Sequence, residues 1–306
     1  MPQPDVILTY ARSRIASDGD FQRLVREALY RDVAVRAEKQ DEQPLPVEER
    51  TPTPLKMLAP EVYDENRTLD AVISFCAARP GARNARPSTE TDRVVTNRHV
   101  GAVLTTNYDN LVEASFGSKY LKGLLQPIGR SSTKRRTGEI PVFHCHGYVS
   151  IVHPSDDASS LLIAEEDYYV ASYDTDSFGN TVMADVLRRM PCLFIGSAMT
   201  DRNLRRHLFL SDTADLDHCA HSPEHFAILP AGGPPDGLTD AVLGRYRVSV
   251  IRIETYSEIP ELLRELYVAA DDTTEDDWEW TQEPFAERDR ARRADRADQD
   301  AQQASD

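Results

Sequence analysis

The chain of 306 residues is long enough for one large α/β domain or two modest ones, each with a hydrophobic core. Its formal net charge of -16 disfavours non-specific binding to nucleic acid, because the phosphates would be repelled overall. No apolar run approaches the length of a membrane span, and the amino terminus does not resemble a signal peptide. We therefore expect a cytoplasmic protein that binds neither nucleic acid nor a membrane.

The first hundred residues predict helices on either side of a loop or linker, rich in Pro and Glu, over residues 40–60. Residues 6–15 are apolar at helical spacing, and a second helix is expected over residues 21–29, capped by Asp18 or Asp20. A third helix is expected around residues 69–75. This part of the chain is therefore predicted to be a helical segment that precedes the main sheet.

From about residue 100, strands and helices alternate in the predicted pattern. Strands are expected over residues 101–106, 141–146, 160–163, 192–196, 225–229 and 247–253. Helices are expected over residues 109–116, 165–172, 178–190, 201–211 and 257–270. The alternation predicts a Rossmann-like, doubly wound, mostly parallel sheet with helices on both faces. We expect one domain over residues 1–270 and an acidic, disordered tail over residues 271–306.

Small or polar residues directly follow three of these apolar strands. They are Thr105-Thr106-Asn107-Tyr108-Asp109, His146-Gly147, and Gly196-Ser197 leading to Asp201. In a parallel α/β sheet, ligands bind at the carboxyl ends of the strands. The three segments therefore predict a nucleotide site at one edge of the sheet.

The chemistry of these residues suits such a site. The Asn107 carboxamide can hold a ribose hydroxyl or position a water molecule, and His146 can exchange protons near neutral pH. Gly147 permits close approach of a ligand to the backbone, and the Gly196-Ser197 turn offers N–H groups and a hydroxyl to phosphate.

Each residue also has a purely structural alternative. Asp109 and Asp201 suit the caps of the helices that follow them. His146 could be a hydrogen-bonded core residue, and Gly196-Ser197 could serve only a tight turn. These alternatives stay open at the level of the sequence.

No metal site is expected from the cysteines and histidines. The four cysteines lie far apart without a Cys-x-x-Cys pair: Cys76, Cys145, Cys192 and Cys219. This spacing supports neither a disulfide framework nor a cysteine zinc ribbon. One loop has a ligand-like composition, with His218, Cys219, His221 and His225, but we expect no metal there.

Taken together, the segments resemble the sirtuin-like NAD-consuming domains, especially the bacterial and archaeal branch found in anti-phage defence proteins. The resemblance covers about residues 100–270 and includes further segments. These are the acidic stretch with tyrosines at 165–169, Phe-Ile-Gly-Ser at 194–197, and Asp-Arg-Asn-Leu at 201–204.

The resemblance implies that NAD is the substrate and that its nicotinamide–ribose bond is hydrolysed to ADP-ribose and nicotinamide. Asn107 would then position the attacking water, Asp109 would support the pocket, and His146 would act as general base. The remaining residues would bind NAD: Thr105, Thr106, Gly147, Gly196, Ser197 and Asp201. The resemblance also implies a homo-oligomer or a partner protein of a defence system.

The family's amino-terminal strand and Gly-Ala-Gly-x-Ser loop, which cradle the pyrophosphate, have no counterpart in the sequence. We therefore expect an amino-terminally truncated domain whose activity depends on that segment being present or replaced. A catalytically impaired module for nucleotide sensing or protein interaction is the alternative. An NAD-dependent protein deacylase is disfavoured, because classical sirtuins carry a four-cysteine zinc module that these cysteines cannot form.

Overall fold

The structure is a computed structural model that describes most of the chain between residues 12 and 269. The described ranges are 12–15, 17–30, 66–77, 100–119, 125–130, 133–136, 139–150, 161–213, 224–232 and 236–269. Several sequence predictions lie outside them, namely the linker over 40–60, the tail over 271–306, His218, Cys219, His221, and the helix over 6–15 except its last residues. Of those last residues, 12–14 are helical. The domain boundary at residue 270 stays a prediction.

The described strands are β1 (Val103–Thr105), β2 (Leu125–Ile128), β3 (Ile140–His144), β4 (Leu193–Phe194), β5 (His225–Pro230) and β6 (Val248–Ile253). They form two three-stranded sheets with the orders β1-β3-β2 and β4-β5-β6, and every pairing is parallel. Among the described residues, no ladder joins β1 to β4. The predicted α/β fold with parallel strands is confirmed.

The described α-helices are α1 (Asp18–Leu29), α2 (Arg67–Ala77), α3 (Leu111–Lys119), α4 (Glu165–Tyr173), α5 (Phe178–Arg189), α6 (Arg202–Thr213), α7 (Asp236–Gly244) and α8 (Ile259–Ala269). A 3-10 turn over Tyr256–Glu258 precedes α8. None of the described helices is long and apolar enough to cross a membrane.

Helices cover both faces of the strands. Successive strand residues point to opposite sides, so each strand contacts helices on both faces. In β5, Ala227 and Leu229 pack into the core formed with α5, α6 and α7, whereas Ile228 packs into the core formed with α2 and α8. The predicted arrangement, a sheet with helices on both faces after a helical segment, is confirmed.

Two helices connect the two sheets. On one face, α2 contributes Ile73 to the core under β1 and β3, and Ala71 to the core under β4 and β5. On the other face, Leu187 of α5 lies in a cluster that contains both Leu104 of β1 and Phe194 of β4. The two sheets therefore pack against the same two helices, α2 on one face and α5 on the other.

The structure corrects two local predictions and adds two elements that the sequence did not predict. Residues 161–163 are not a strand, although the Leu162 N–H donates to the His146 carbonyl at 3.0 Å. The cap of α1 is Ser17, whose Oγ accepts the Asp20 N–H at 3.2 Å, and neither Asp18 nor Asp20 caps it. Strand β2 and helix α7 were not predicted.

Candidate functional site

The segments that follow β1 and β3 run side by side at the carboxyl end of their strands. Thr105 lies opposite His144 in the parallel ladder, and the Cys145 N–H donates to the Thr105 carbonyl at 2.9 Å. Further along, the Val149 N–H donates to the Tyr108 carbonyl at 2.7 Å. The ladder therefore brings the loop that contains Asn107 next to the turn that contains His146.

His146 lies in the turn after β3 and is 2% exposed. Its Nε2 lies 3.4 Å from Oδ2 of Asp201, at the start of α6, and has no hydrogen-bond partner among the described residues. Burial lowers the pKa of His146, and the Asp201 carboxylate partly offsets that effect. The imidazole of His146 is therefore largely neutral. Its buried Nε2 makes no hydrogen bond to the described residues.

Two glycines at this edge adopt the left-handed backbone region. Gly147 has φ 74° and its N–H donates to the His144 carbonyl at 3.0 Å, which closes the turn around His146. Gly196, after β4, has φ 69° and open space where a Cβ would lie. A side chain would strain both positions. The strands therefore end in turns that only glycine adopts readily.

Several predicted site residues make short-range hydrogen bonds that shape these turns. The acceptors are Asp109 Oδ1 for the Leu111 N–H, Ser197 Oγ for the Met199 N–H, Thr105 Oγ1 for the Asn107 N–H, and Asp201 Oδ1 for the Asn203 and Leu204 N–H groups. The hydrogen bond of Asp109 therefore fits the structural alternative, in which its carboxylate serves the start of the following helix. Asp201 caps α6 and also faces His146. Asn107 and Thr106 have exposed side chains.

Aromatic side chains surround His146, an arrangement that the sequence does not indicate. The Tyr168 ring meets the imidazole edge-on, with a centroid distance of 5.6 Å and an interplanar angle of 84°. The Tyr108 hydroxyl donates to the Leu162 carbonyl and lies 3.4 Å from the Tyr168 hydroxyl. Burial raises the pKa of Tyr108 further above its usual value, so its hydroxyl stays protonated. The tyrosine next to Asn107 is thus part of the wall around His146.

An ion pair fixes the start of α4, which carries Tyr168. Nη1 of Arg12 donates to both carboxylate oxygens of Asp167, at 2.7 and 2.9 Å. Oδ2 of Asp167 also accepts the N–H groups of Ile163 and Ala164. The acidic stretch was correctly predicted as a helix first turn, but no local signal in the sequence indicates Arg12 as its partner.

His144, the last residue of β3, has different partners from His146. Nε2 of His144 lies 2.6 Å from Oε1 of Glu113 on α3, and both side chains are buried. The imidazole also packs on the Tyr148 ring, with a centroid distance of 4.4 Å. The Glu113–His144 contact therefore ties α3 to the end of β3.

No group of three ligand-type side chains suited to a metal ion occurs in the described ranges. Of the histidine- and cysteine-rich loop, His225 alone is described, at the start of β5. Its Nδ1 accepts the Cys192 N–H at 3.2 Å, and burial and Arg247 lower its pKa. His225 is therefore a core histidine at the opposite end of its strand from the candidate site.

This part of the chain is similar to known proteins. Residues 101–251 match the family model described as the SIR2-like domain. The chain is also 26% identical over 202 residues to the NAD(+) hydrolase ThsA of Enterococcus faecium, an alignment that covers 58% of this chain. It covers 40% of that relative, so the similarity spans less than half of the relative's length.

Residues 101–251 therefore match a SIR2-like domain, in agreement with the resemblance to sirtuin-like domains seen in the sequence. The family match includes the ends of β1, β3 and β4 and the first turn of α6. It thus covers every residue that the sequence analysis assigned to the site.

Proposed function

We propose that this chain is an NAD glycohydrolase that converts NAD and water to ADP-ribose, nicotinamide and a proton. The observation that carries the proposal is the buried His146 at the carboxyl edge of the parallel strands, beside the loop that contains Asn107. This edge is where ligands bind in such sheets. The similarity to a named NAD(+) hydrolase and to SIR2-like domains supports NAD as the substrate.

The proposed reaction requires no covalent bond between the protein and NAD. Nicotinamide leaves the cationic glycosidic bond as a neutral ring, and the ribose passes through an oxocarbenium-like state that water captures. A neutral imidazole can accept the proton that this water, or a ribose hydroxyl, gives up. His146 suits that role because burial favours its neutral form.

The other residues would orient NAD in this proposal. The exposed Asn107 carboxamide lies in the loop beside the His146 turn and would position the water at the ribose. Gly196 and Ser197 would face the adenosine half, with Thr105, Thr106 and Gly147 lining the same edge. Asp109 would act indirectly, because its carboxylate accepts the Leu111 N–H at the start of α3 and so shapes the loop that carries Asn107.

A hydrolase is favoured over the deacylase alternative by the described cysteines. Cys76 lies in the core between α2 and β3, and Cys145 lies in the core under α5, where Cys192 also packs. Burial raises their pKa values to about 12 for Cys76 and Cys145 and about 11 for Cys192. Such thiols belong to the hydrophobic core and do not suit the four-cysteine zinc module of classical sirtuins.

The biological setting follows the same resemblance. We propose that NAD hydrolysis by this chain serves anti-phage defence in the cytoplasm, with a second copy or a partner protein completing the assembly. The catalytically impaired sensing module is the second candidate, and it predicts that NAD binds but is not cleaved.

The Asn107→Ala variant tests the proposal. Asn107 is exposed, so we expect its melting temperature to equal that of the wild type. Loss of a water-positioning group should lower kcat for NAD hydrolysis by about 10²-fold, with a smaller effect on KM. Nicotinamide release is measured by chromatography. Unchanged kcat in Asn107→Ala would remove this residue from the proposed mechanism.

A further inference from the structure

Asp201 uses its two carboxylate oxygens for different purposes. Oδ1 accepts the Asn203 N–H at 2.7 Å and the Leu204 N–H at 3.2 Å, which caps α6. Oδ2 is thereby left to face Nε2 of His146 at 3.4 Å. A cap alone needs one oxygen, so the second contact is available for another role.

A buried polar network holds the first turn of α6 in place. Nδ2 of Asn203 donates to Oδ1 of Asn180 at 3.0 Å, and His207 Nε2 lies 2.9 Å from the same oxygen. Burial and Arg206 lower the pKa of His207 to about 4, so its ring is neutral. Its Nε2 carries the hydrogen and donates to Asn180, because a carboxamide oxygen only accepts. The turn that presents Asp201 is therefore anchored to α5.

The Asn180 carboxamide is itself fully hydrogen-bonded. It is 2% exposed, and its Nδ2 donates to the carbonyls of Ala171 and Asp174, both at 2.7 Å. With two donors and two acceptor sites in use, it links α4, α5 and α6. The first turn of α6 is thus fixed relative to α4, the helix whose Tyr168 contacts His146.

The groups that face His146 are few. Asp201 faces it from α6, Tyr168 meets it edge-on from α4, and Tyr108 stands behind Tyr168. The neighbouring Cys145 thiol is buried with a pKa raised to about 12, so it is neutral. Among the described residues, Asp201 is therefore the one anionic side chain that contacts His146.

We propose that Asp201 is a positioning residue: its Oδ2 accepts the Nε2–H of the neutral His146 imidazole, which leaves Nδ1 as the ring nitrogen that accepts a proton, and the carboxylate then stabilises the imidazolium. The proposal rests on the proposed function for the proton that His146 accepts. A distance of 3.4 Å is longer than a formed N–H···O bond, and such contacts tighten when a substrate is bound. The α6 cap holds the Asp201 carboxylate at a distance from which this hydrogen bond to His146 can form.

Three variants of the full chain separate this role from capping. Asp201→Ser keeps a hydroxyl cap but removes the contact to His146, Asp201→Asn keeps the shape but removes the charge, and Asp201→Ala removes both. The His146 pKa is measured by imidazole NMR without nucleotide, and its signal is assigned by comparison with His146→Gln.

We expect the His146 pKa to fall by about one unit in both Asp201→Ser and Asp201→Asn, a tenfold change in protonation equilibrium. Asp201→Ser should melt near the wild-type temperature, and its kcat for NAD hydrolysis should fall about tenfold. Asp201→Ala should be the least stable of the three. The limb of the pH–kcat profile that reports His146 should move with the measured pKa.

An unchanged His146 pKa in Asp201→Ser and Asp201→Asn would overturn the proposal and leave Asp201 as a helix cap. The NMR measurement does not require NAD to be hydrolysed. A shifted pKa in a chain that releases no nicotinamide would therefore support the pairing while contradicting the proposed function.

Discussion

Replacing His146 with alanine is expected to reduce NAD hydrolysis by at least about 10²-fold, because the site loses its general base. His146 is 2% exposed, so the substitution also leaves a cavity and should lower the free energy of unfolding by about 1–3 kcal/mol. The rate must therefore be measured below the unfolding transition, per folded molecule, from chromatographic release of nicotinamide.

His225→Ala is the matched control for this experiment. His225 is 1% exposed, comparable to His146, but it begins β5 and lies at the end of the strand away from the site. Its loss deprives the Cys192 N–H of an acceptor and should cost a similar amount of stability. We expect His225→Ala to retain the wild-type rate per folded molecule. Equal rates in the two variants would contradict a catalytic role for His146.

Replacing Gly179 with alanine is expected to destabilise the protein by about 3 kcal/mol, at the upper end of overpacking effects. A Cβ at this position, in the first turn of α5, would lie 2.2 Å from the Cys145 carbonyl oxygen. The obstacle is backbone and cannot rotate away, so α5 or the turn must move. Because Cys145 precedes His146, the shift should also lower NAD hydrolysis.

Gly237→Ala provides the comparison for Gly179→Ala. Gly237 lies in α7 with nothing within 4 Å of its Cβ position, so alanine should leave stability unchanged or raise it by about 0.5 kcal/mol. Chemical denaturation of both variants measures the difference. A Gly179→Ala protein as stable as Gly237→Ala would show that α5 does not press on the turn that holds His146.

Regular hydrophobic patterning explains which elements could be predicted. The β5 and β6 strands are rich in apolar residues, and α5 and α6 have apolar residues at helical spacing, so the hydrophobic pattern locates them. Strand β2 was missed because its sequence contains Gln126 and Pro127. Gln126 is buried but satisfied, since its side chain bonds the Lys134 carbonyl and the Arg136 N–H. That compensation depends on a neighbouring loop and leaves no local pattern.

The site was predictable only where its residues are local. The strand ends and caps are visible in short segments, as at Asp109 and at Asp201. The pairing of Asp201 with His146, of Glu113 with His144, and of Arg12 with Asp167 arises only when distant segments fold together. The Arg12–Asp167 pair spans 155 positions. No local spacing rule could indicate these partners, because the sheet topology creates them.

The most direct test of the central claim is to incubate the purified chain with NAD and quantify all products by chromatography. We expect nicotinamide and ADP-ribose to appear in equal amounts as NAD disappears, with no acylated peptide required. NAD that binds but stays intact, or nicotinamide released only when an acylated peptide is added, would contradict the assignment of this site as an NAD glycohydrolase.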